Sequence, residues 1–114
     1  MAYDSYLAER ILIILKQKRI IFSEKKMFGG MCYMVDNKMC LGVVKNDLMA
    51  RIHLDSYEKA LKKKGCEPML FTGKLMKGYV FINPIGVDLD KDLEYWIQQC
   101  LDFNPLAKAS KKKN

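Results

Sequence analysis

Histidine is almost missing from this chain: His53 is the only one among 114 residues. That excludes a His-cluster metal site and leaves a Cys-His catalytic pair to chance proximity. The four cysteines, at 32, 40, 66 and 100, have neither metal-site nor redox spacing. No serine sits in an elbow motif, and no glycine-rich cofactor loop follows a strand. Asp88, Asp90, Asp92 and Glu94 alternate, but a Ca²⁺ loop would need a glycine and a terminal glutamate at fixed positions, and both are lacking. Long apolar runs are absent too. Ile11 to Leu15 is five residues, against the ~20 of a membrane span. Asp4, Glu9 and Arg10 break up the start, so it does not read as a signal peptide. These absences predict a cytoplasmic protein with reduced, mostly buried thiols, no membrane contact, no metal, no cofactor and no catalytic residues.

What is present is half hydrophobic and basic, with a formal charge of +7. The length suits one domain with one real core, predicted over 1–105. Lys111, Lys112 and Lys113 supply three of the charges. The part expected to fold holds about +4, a modest excess for a nucleic-acid binder. Residues 106–114 read as a lysine-rich disordered tail.

The stretch from Lys25 to Arg51 organises the rest. Met31 to Val35 and Lys38 to Val44 are apolar and β-compatible, and Asp36-Asn37 between them suits a two-residue hairpin. Lys45-Asn46-Asp47 marks a second turn into Leu48 to Ile52. In that register Val35 pairs with Lys38, Met34 with Met39, Tyr33 with Cys40 and Cys32 with Leu41. Alternation then puts Cys32, Met34, Met39, Leu41, Val43, Leu48, Ala50 and Ile52 on a core face. Tyr33, Val35, Lys38, Cys40, Val44, Met49, Arg51 and His53 fall on a mixed face, expected to be partly solvated or covered by a loop. Cys32 and Cys40 therefore point opposite ways and should not be bridged. Gly29-Gly30 lacks the spacing, lysine and following helix of a phosphate loop. Two glycines where the chain kinks or bulges between strands are explained by the missing Cβ alone.

Around this sheet the periodicity predicts three helices. Residues 4–18 carry Leu7, Ile11, Ile14, Leu15 and Lys18 on one side, with Leu12 and Ile13 widening the apolar face. Ile20 to Lys26 reads as a strand. Asp55-Ser56-Tyr57-Glu58 has the form of a capping box for a short helix whose main apolar residue is Leu61. Lys62, Lys63 and Lys64 occupy its last turn, where cations complement the helix end, and Gly65 is placed for a left-handed stop. The same lysine run is the local candidate for contact with phosphate. Pro68 to Leu75 reads as a loop or irregular strand. Gly78 to Pro84 reads as a strand with Tyr79 and Phe81 on one face and Val80 and Ile82 on the other. Asp88 or Asp90 should cap a last helix carrying Leu89, Leu93, Trp96, Ile97, Cys100 and Leu101 at helical spacing, stopped by Pro105. The fold class is α+β: an antiparallel meander sheet with an N-terminal, a short middle and a C-terminal helix packed on it.

Met27-Phe28-Gly29-Gly30, the hairpin after it, Leu48-Met49-Ala50-Arg51, Gly65-Cys66-Glu67-Pro68, Lys77-Gly78-Tyr79 and the Trp96 helix together resemble the N-terminal domain of the TfoX/Sxy competence regulators. The likeness runs over roughly residues 4 to 103. It implies a small α+β domain and a role in switching on DNA-uptake genes as partner of a cyclic-AMP-dependent activator. Those regulators carry a second, helical C-terminal domain, and this sequence stops where that domain would begin.

Three functions follow as expectations. The first is a regulatory or adaptor domain that acts on a protein partner, a transcription activator in particular, as monomer or homodimer. The second is a nucleic-acid module that uses Lys62–Lys64, the tail and aromatics such as Tyr33, Tyr79 and Phe81, with weak, sequence-indifferent binding. The third, an RNA-modifying methyltransferase, has no motif behind it. Met27, Phe28, Gly29, Gly30, Arg51, Gly78 and Tyr79 are the family-motif residues, and they are expected to be mainly structural.

Overall fold

The computed structural model describes residues 3–27 and 29–107. The element order is α1 (Ser5–Gln17), β1 (Ser23–Met27), β2 (Gly30–Val35), β3 (Lys38–Val44), β4 (Asp47–Arg51), α2 (Tyr57–Leu61), β5 (Cys66–Phe71), β6 (Lys74–Ile82) and α3 (Asp90–Phe103). Short 3-10 turns precede α2 and α3 and follow α3. All strand pairings are antiparallel, in the order β1-β2-β3-β4-β6-β5. The meander therefore holds through β4. The chain then leaves the sheet through α2, lays β5 at the outer edge and returns with β6 beside β4. The result is an α+β fold.

Asp4 starts α1 by accepting hydrogen bonds from the Tyr6 and Leu7 amides at 2.9 and 3.4 Å. Leu7, Ala8, Ile11 and Leu15 are its buried face. The short middle helix lacks the expected capping box. Ser56 is its N-cap and its side chain makes no capping bond, while Asp55 sits beside His53. Tyr57 and Ala60, not Leu61, are the buried residues of α2. Neither Asp88 nor Asp90 caps α3. Leu89 occupies the N-cap, and the Asp90 carboxylate accepts instead from Arg10 at 3.0 Å. Leu93, Trp96, Ile97 and Cys100 are buried as their spacing predicts, whereas Leu89 is 54% exposed. After α3 a 3-10 turn runs from Asn104 to Leu106, and Ala107 is buried, so packing continues two residues into the stretch read as tail. Residues 108–114 lie outside the described residues.

The first hairpin turns at Asp36-Asn37, both with positive φ (55° and 63°), and Val35 pairs with Lys38 as predicted. Beyond Met34↔Met39 the register departs from the sequence reading. A bulge shifts it, so Tyr33 pairs with Leu41 and Cys32 with Gly42. The extra residue is Cys40. Cys40 and Leu41 both turn toward the helices and Tyr33 joins them, while Cys32, Met34 and Met39 go to the other face. Leu41, Val43, Leu48, Ala50 and Ile52 do face the helices. Cys32 and Cys40 still point opposite ways, and all four cysteines are free and buried.

The second face is not solvated either. Cys32, Met34, Met39, Met49 and Met69 are buried there, with Met27, Val44, Met76, Tyr79 and Phe81 packed against them. Every member lies on a strand. Among the described residues six methionines fill this space with no helix over it, a use that suits their flexible, polarisable side chains. Of the two readings of Pro68 to Leu75, the irregular strand is the one found, with a register shift between Pro68 and Leu70. The stretch forms most of the β5–β6 hairpin, which turns at Thr72-Gly73 with φ of 52° and 80°. Pro68 is tolerated because β5 is an edge strand.

Of the glycines on the strands, Gly30 has the least room for a side chain. A Cβ there would overlap the Val43 carbonyl oxygen and stand 3.0 Å from the Val43 carbonyl carbon. Gly29 has φ +76° and open space around it. The two glycines should therefore respond differently in urea unfolding. Gly30→Val should cost about 1–3 kcal/mol, because backbone blocks the side chain. Gly29→Asn should cost only a few tenths, since asparagine tolerates the left-handed region. Equal costs at the two positions would contradict this packing.

Candidate functional site

The lysine run after α2 is placed by one backbone contact. Gly65, with φ +80°, ends the helical segment, and its carbonyl accepts from the Asn83 amide at 2.8 Å. A Cβ on Gly65 would stand 2.6 Å from Asn83 Oδ1 and 2.8 Å from the Gly86 nitrogen. A Cβ on Gly86 would stand 2.6 Å from the Lys64 carbonyl oxygen. The end of α2 and the turn Pro84–Val87 thus touch backbone to backbone, which any side chain would prevent. Arg10 holds the same turn from the other side: its Nη2 donates to the carbonyls of Val87 and Asp88 at 2.8 and 3.3 Å.

This contact brings Lys63 and Lys64 up against the first turns of α3. They line a groove of about 410 Å³ with Gly86, Lys91, Asp92, Tyr95 and Trp96. A second furrow of about 400 Å³ shares Lys64 and Asp92 and adds Pro84, Ile85, Asp88 and Leu89. Lys63 Nζ lies 4.5 Å from the centroid of the Tyr95 ring, a cation–π contact. Tyr95 in turn meets Trp96 edge to face at 5.3 Å. Trp96 is only 3% exposed, so it forms a wall that belongs to the core, while Ile85 and Leu89 are 61% and 54% exposed. Three ammonium groups, two carboxylates and three exposed apolar side chains share this surface. Lys62 is exposed and lines neither furrow.

The described family-motif residues lie elsewhere, in two groups. Met27 packs on the methionine face, and Gly29 and Gly30 make the β1–β2 turn and the approach described above. Phe28 lies outside the described residues. Arg51 pairs with Tyr79 across β4 and β6. Its guanidinium lies 5.4 Å from the Tyr79 ring and 5.8 Å from that of Phe103, and Nη1 donates to the Met39 carbonyl at 3.3 Å. Arg51 therefore ties β3, β4, β6 and the end of α3 together. Gly78 has φ +88°, and its carbonyl accepts from the Ile52 amide at 2.8 Å. The structure brings Arg51, Gly78 and Tyr79 to one end of the sheet, apart from the lysine groove.

The family model for the TfoX N-terminal domain matches residues 20–104. The chain belongs to that family. Comparison with curated proteins and with solved structures finds no match. Both furrows of this TfoX N-terminal domain lie inside the matched residues, as do Met27 to Gly30, Arg51, Gly78 and Tyr79. Helix α1 precedes the match but supplies Leu7, Ile11 and Leu15 to the same core.

Sequence reasoning found Lys63 and Lys64 in this TfoX domain and missed Lys91, Tyr95, Ile85 and Leu89. One signal for Lys91 and Tyr95 was present. They are four residues apart on α3 and off its Leu93-Trp96-Ile97-Cys100 stripe, hence neighbours on the solvent side. No such signal marked Leu89, which fits the apolar periodicity and was read as core.

The remaining chemistry of the TfoX domain lies in its thiols. Burial pushes Cys32 and Cys66 up to about 11, with Glu67 adding to the effect at Cys66. Burial also lifts Cys40 to about 12 against the opposing pull of Arg51, and raises Cys100 well above its ordinary value. Among the described residues no three His, Cys, Asp or Glu side chains are grouped to hold a metal, and no helix is long and apolar enough to cross a membrane. Near pH 8 the native protein should expose less than one reactive thiol to a disulfide reagent, against four once denatured without reductant. Two or fewer in the denatured protein would mean a disulfide. The folded thiol pKa values are raised, so their contribution to stability is intact below about pH 9 and is lost as pH rises toward about 12. Urea unfolding should accordingly move to lower concentration between about pH 9 and 11. A fast-reacting native thiol, or stability that does not fall over that window, would contradict the buried placement.

Proposed function

We propose that this TfoX N-terminal domain is a non-enzymatic regulatory adaptor, acting in transcription by binding a protein partner. One observation carries the reading: exposed Ile85, Leu89 and Tyr95 lie with Lys63, Lys64 and Lys91 along two adjoining furrows, on a domain whose central strands are buried on both faces. Exposed apolar side chains rimmed by charge are the makings of a protein contact. The resemblance to competence regulators supports the transcriptional setting, with a transcription activator as the kind of partner it implies.

The lysines favour a second reading as a nucleic-acid module, since phosphate contacts from Lys supply non-specific affinity. The two readings separate in an affinity pull-down of the tagged full chain with and without nuclease. The adaptor reading predicts one discrete protein that survives nuclease and, once purified, binds the purified domain directly. Recovery only of heterogeneous, nuclease-sensitive material would overturn it in favour of the nucleic-acid module.

A further inference from the structure

We infer that the Lys63–Lys64–Lys91 groove docks an acidic segment of the partner, one that presents aliphatic side chains beside its carboxylates. The inference rests on the adaptor reading and goes beyond it in naming the chemistry of the occupant.

Charge gives the first half of the argument. Lys63, Lys64 and Lys91 are exposed and face one groove of about 410 Å³. Lys63 lies against the Tyr95 ring, and no ion pair holds any of the three among the described residues. Lysine is a flexible point charge, suited to carboxylates in no fixed array. The second half is the apolar margin. Ile85 and Leu89, 61% and 54% exposed, stand on the adjoining furrow. Aliphatic side chains on the occupant would remove them from water, and acidic ones would reach the lysines.

The same geometry disfavours a nucleic-acid strand here. Trp96 is buried, and Lys63 already lies over one face of the Tyr95 ring, which reduces the aromatic surface open to a stacking base. Asp92 and Asp88 stand among the lining residues. A phosphate backbone has a charge at every nucleotide and would have to pass them. A peptide can set its carboxylates opposite the lysines and neutral residues opposite the aspartates. Ile85 and Leu89 offer bases nothing to hydrogen-bond.

The test uses the full chain and a labelled synthetic helix of about 15 residues carrying Leu on one face and Glu beside it. Controls are the same helix with Lys for Glu, and an oligothymidylate. The proposal expects the acidic helix to bind at micromolar Kd by fluorescence anisotropy, more weakly as salt rises, and the basic helix to bind at least ~10-fold more weakly. Lys63→Glu with Lys91→Glu should weaken the acidic helix by at least ~10-fold. Leu89→Ser should weaken it separately and with no change of charge, at a position too exposed to be needed for folding. Circular dichroism of each variant checks the fold. Equal binding of both helices, no effect of the double variant, or tighter lysine-dependent binding of the oligothymidylate would each overturn the proposal. The double variant then serves as bait in the nuclease-treated pull-down. If it still recovers the wild type's partner, the groove assignment fails and the adaptor reading stands. If neither bait recovers a protein, the adaptor reading itself fails.

Discussion

The surface of this domain depends on the contact between Gly65 and Gly86. Two backbone segments touch there because neither carries a Cβ, and a side chain on either would meet backbone atoms within 3 Å. One segment ends α2 and begins β5. The other ends β6 and leads into α3. The contact therefore couples the outer hairpin of the sheet to the helix that covers it. It also places lysines that lie far apart in the chain around one groove. Arg10 secures the end of the same turn from α1, through two hydrogen bonds to the Val87 and Asp88 carbonyls at 2.8 and 3.3 Å, and reaches Asp90 on α3 with a third at 3.0 Å. Local geometry of the backbone thus decides an electrostatic feature of the surface.

Behind that surface the sheet buries both its faces by different means. α1, α2 and α3 cover one face with Leu7, Ile11, Leu15, Tyr57, Leu93, Trp96 and Ile97. Among the described residues the other face is closed by strand residues, from Met27 on β1 to Met69 on β5. Burial of each large apolar side chain contributes about 1.5–3 kcal/mol. Methionine adapts to an irregular space better than branched residues do. The Arg51 guanidinium, set between Tyr79 and Phe103, joins the two halves at one end of the sheet. Met27, Gly30, Arg51, Gly78 and Tyr79 all make contacts within this framework, and the groove is carried on it.

How far the sequence foretold this follows from its local signals. Helical spacing located α1 and α3, because their buried residues recur every three or four positions among charged ones. Asp36-Asn37 located the first hairpin, because few residue types accept two positive φ angles in succession. The bulge at Cys40 was hidden, because Met31 to Val35 and Met39 to Val44 are uniformly apolar apart from Gly42. With both faces buried, no polar residue marks the register. Pro68 and Gly73 left Pro68 to Leu75 open between loop and irregular strand, since breakers are permitted in an edge strand and in a turn, and its pairing with β6 had no local signal. The groove was half legible. A lysine run can be seen in sequence, but its meeting with Lys91 and Tyr95 is set by tertiary contact. Leu89 fits the helical stripe and yet precedes the helix, where its side chain is outside the core.

Close backbone approach at Gly86 sets the relation of α2 to α3. The most direct test is equilibrium urea unfolding of Gly86→Ala, followed by the fluorescence of Trp96, the only tryptophan. Its wall of the groove adjoins the contact. A methyl group forced against the Lys64 carbonyl should cost about 1–3 kcal/mol and lower the unfolding midpoint accordingly. A variant that unfolds at the same urea concentration as wild type would show that the two segments do not touch, and the account of the groove would fall with it.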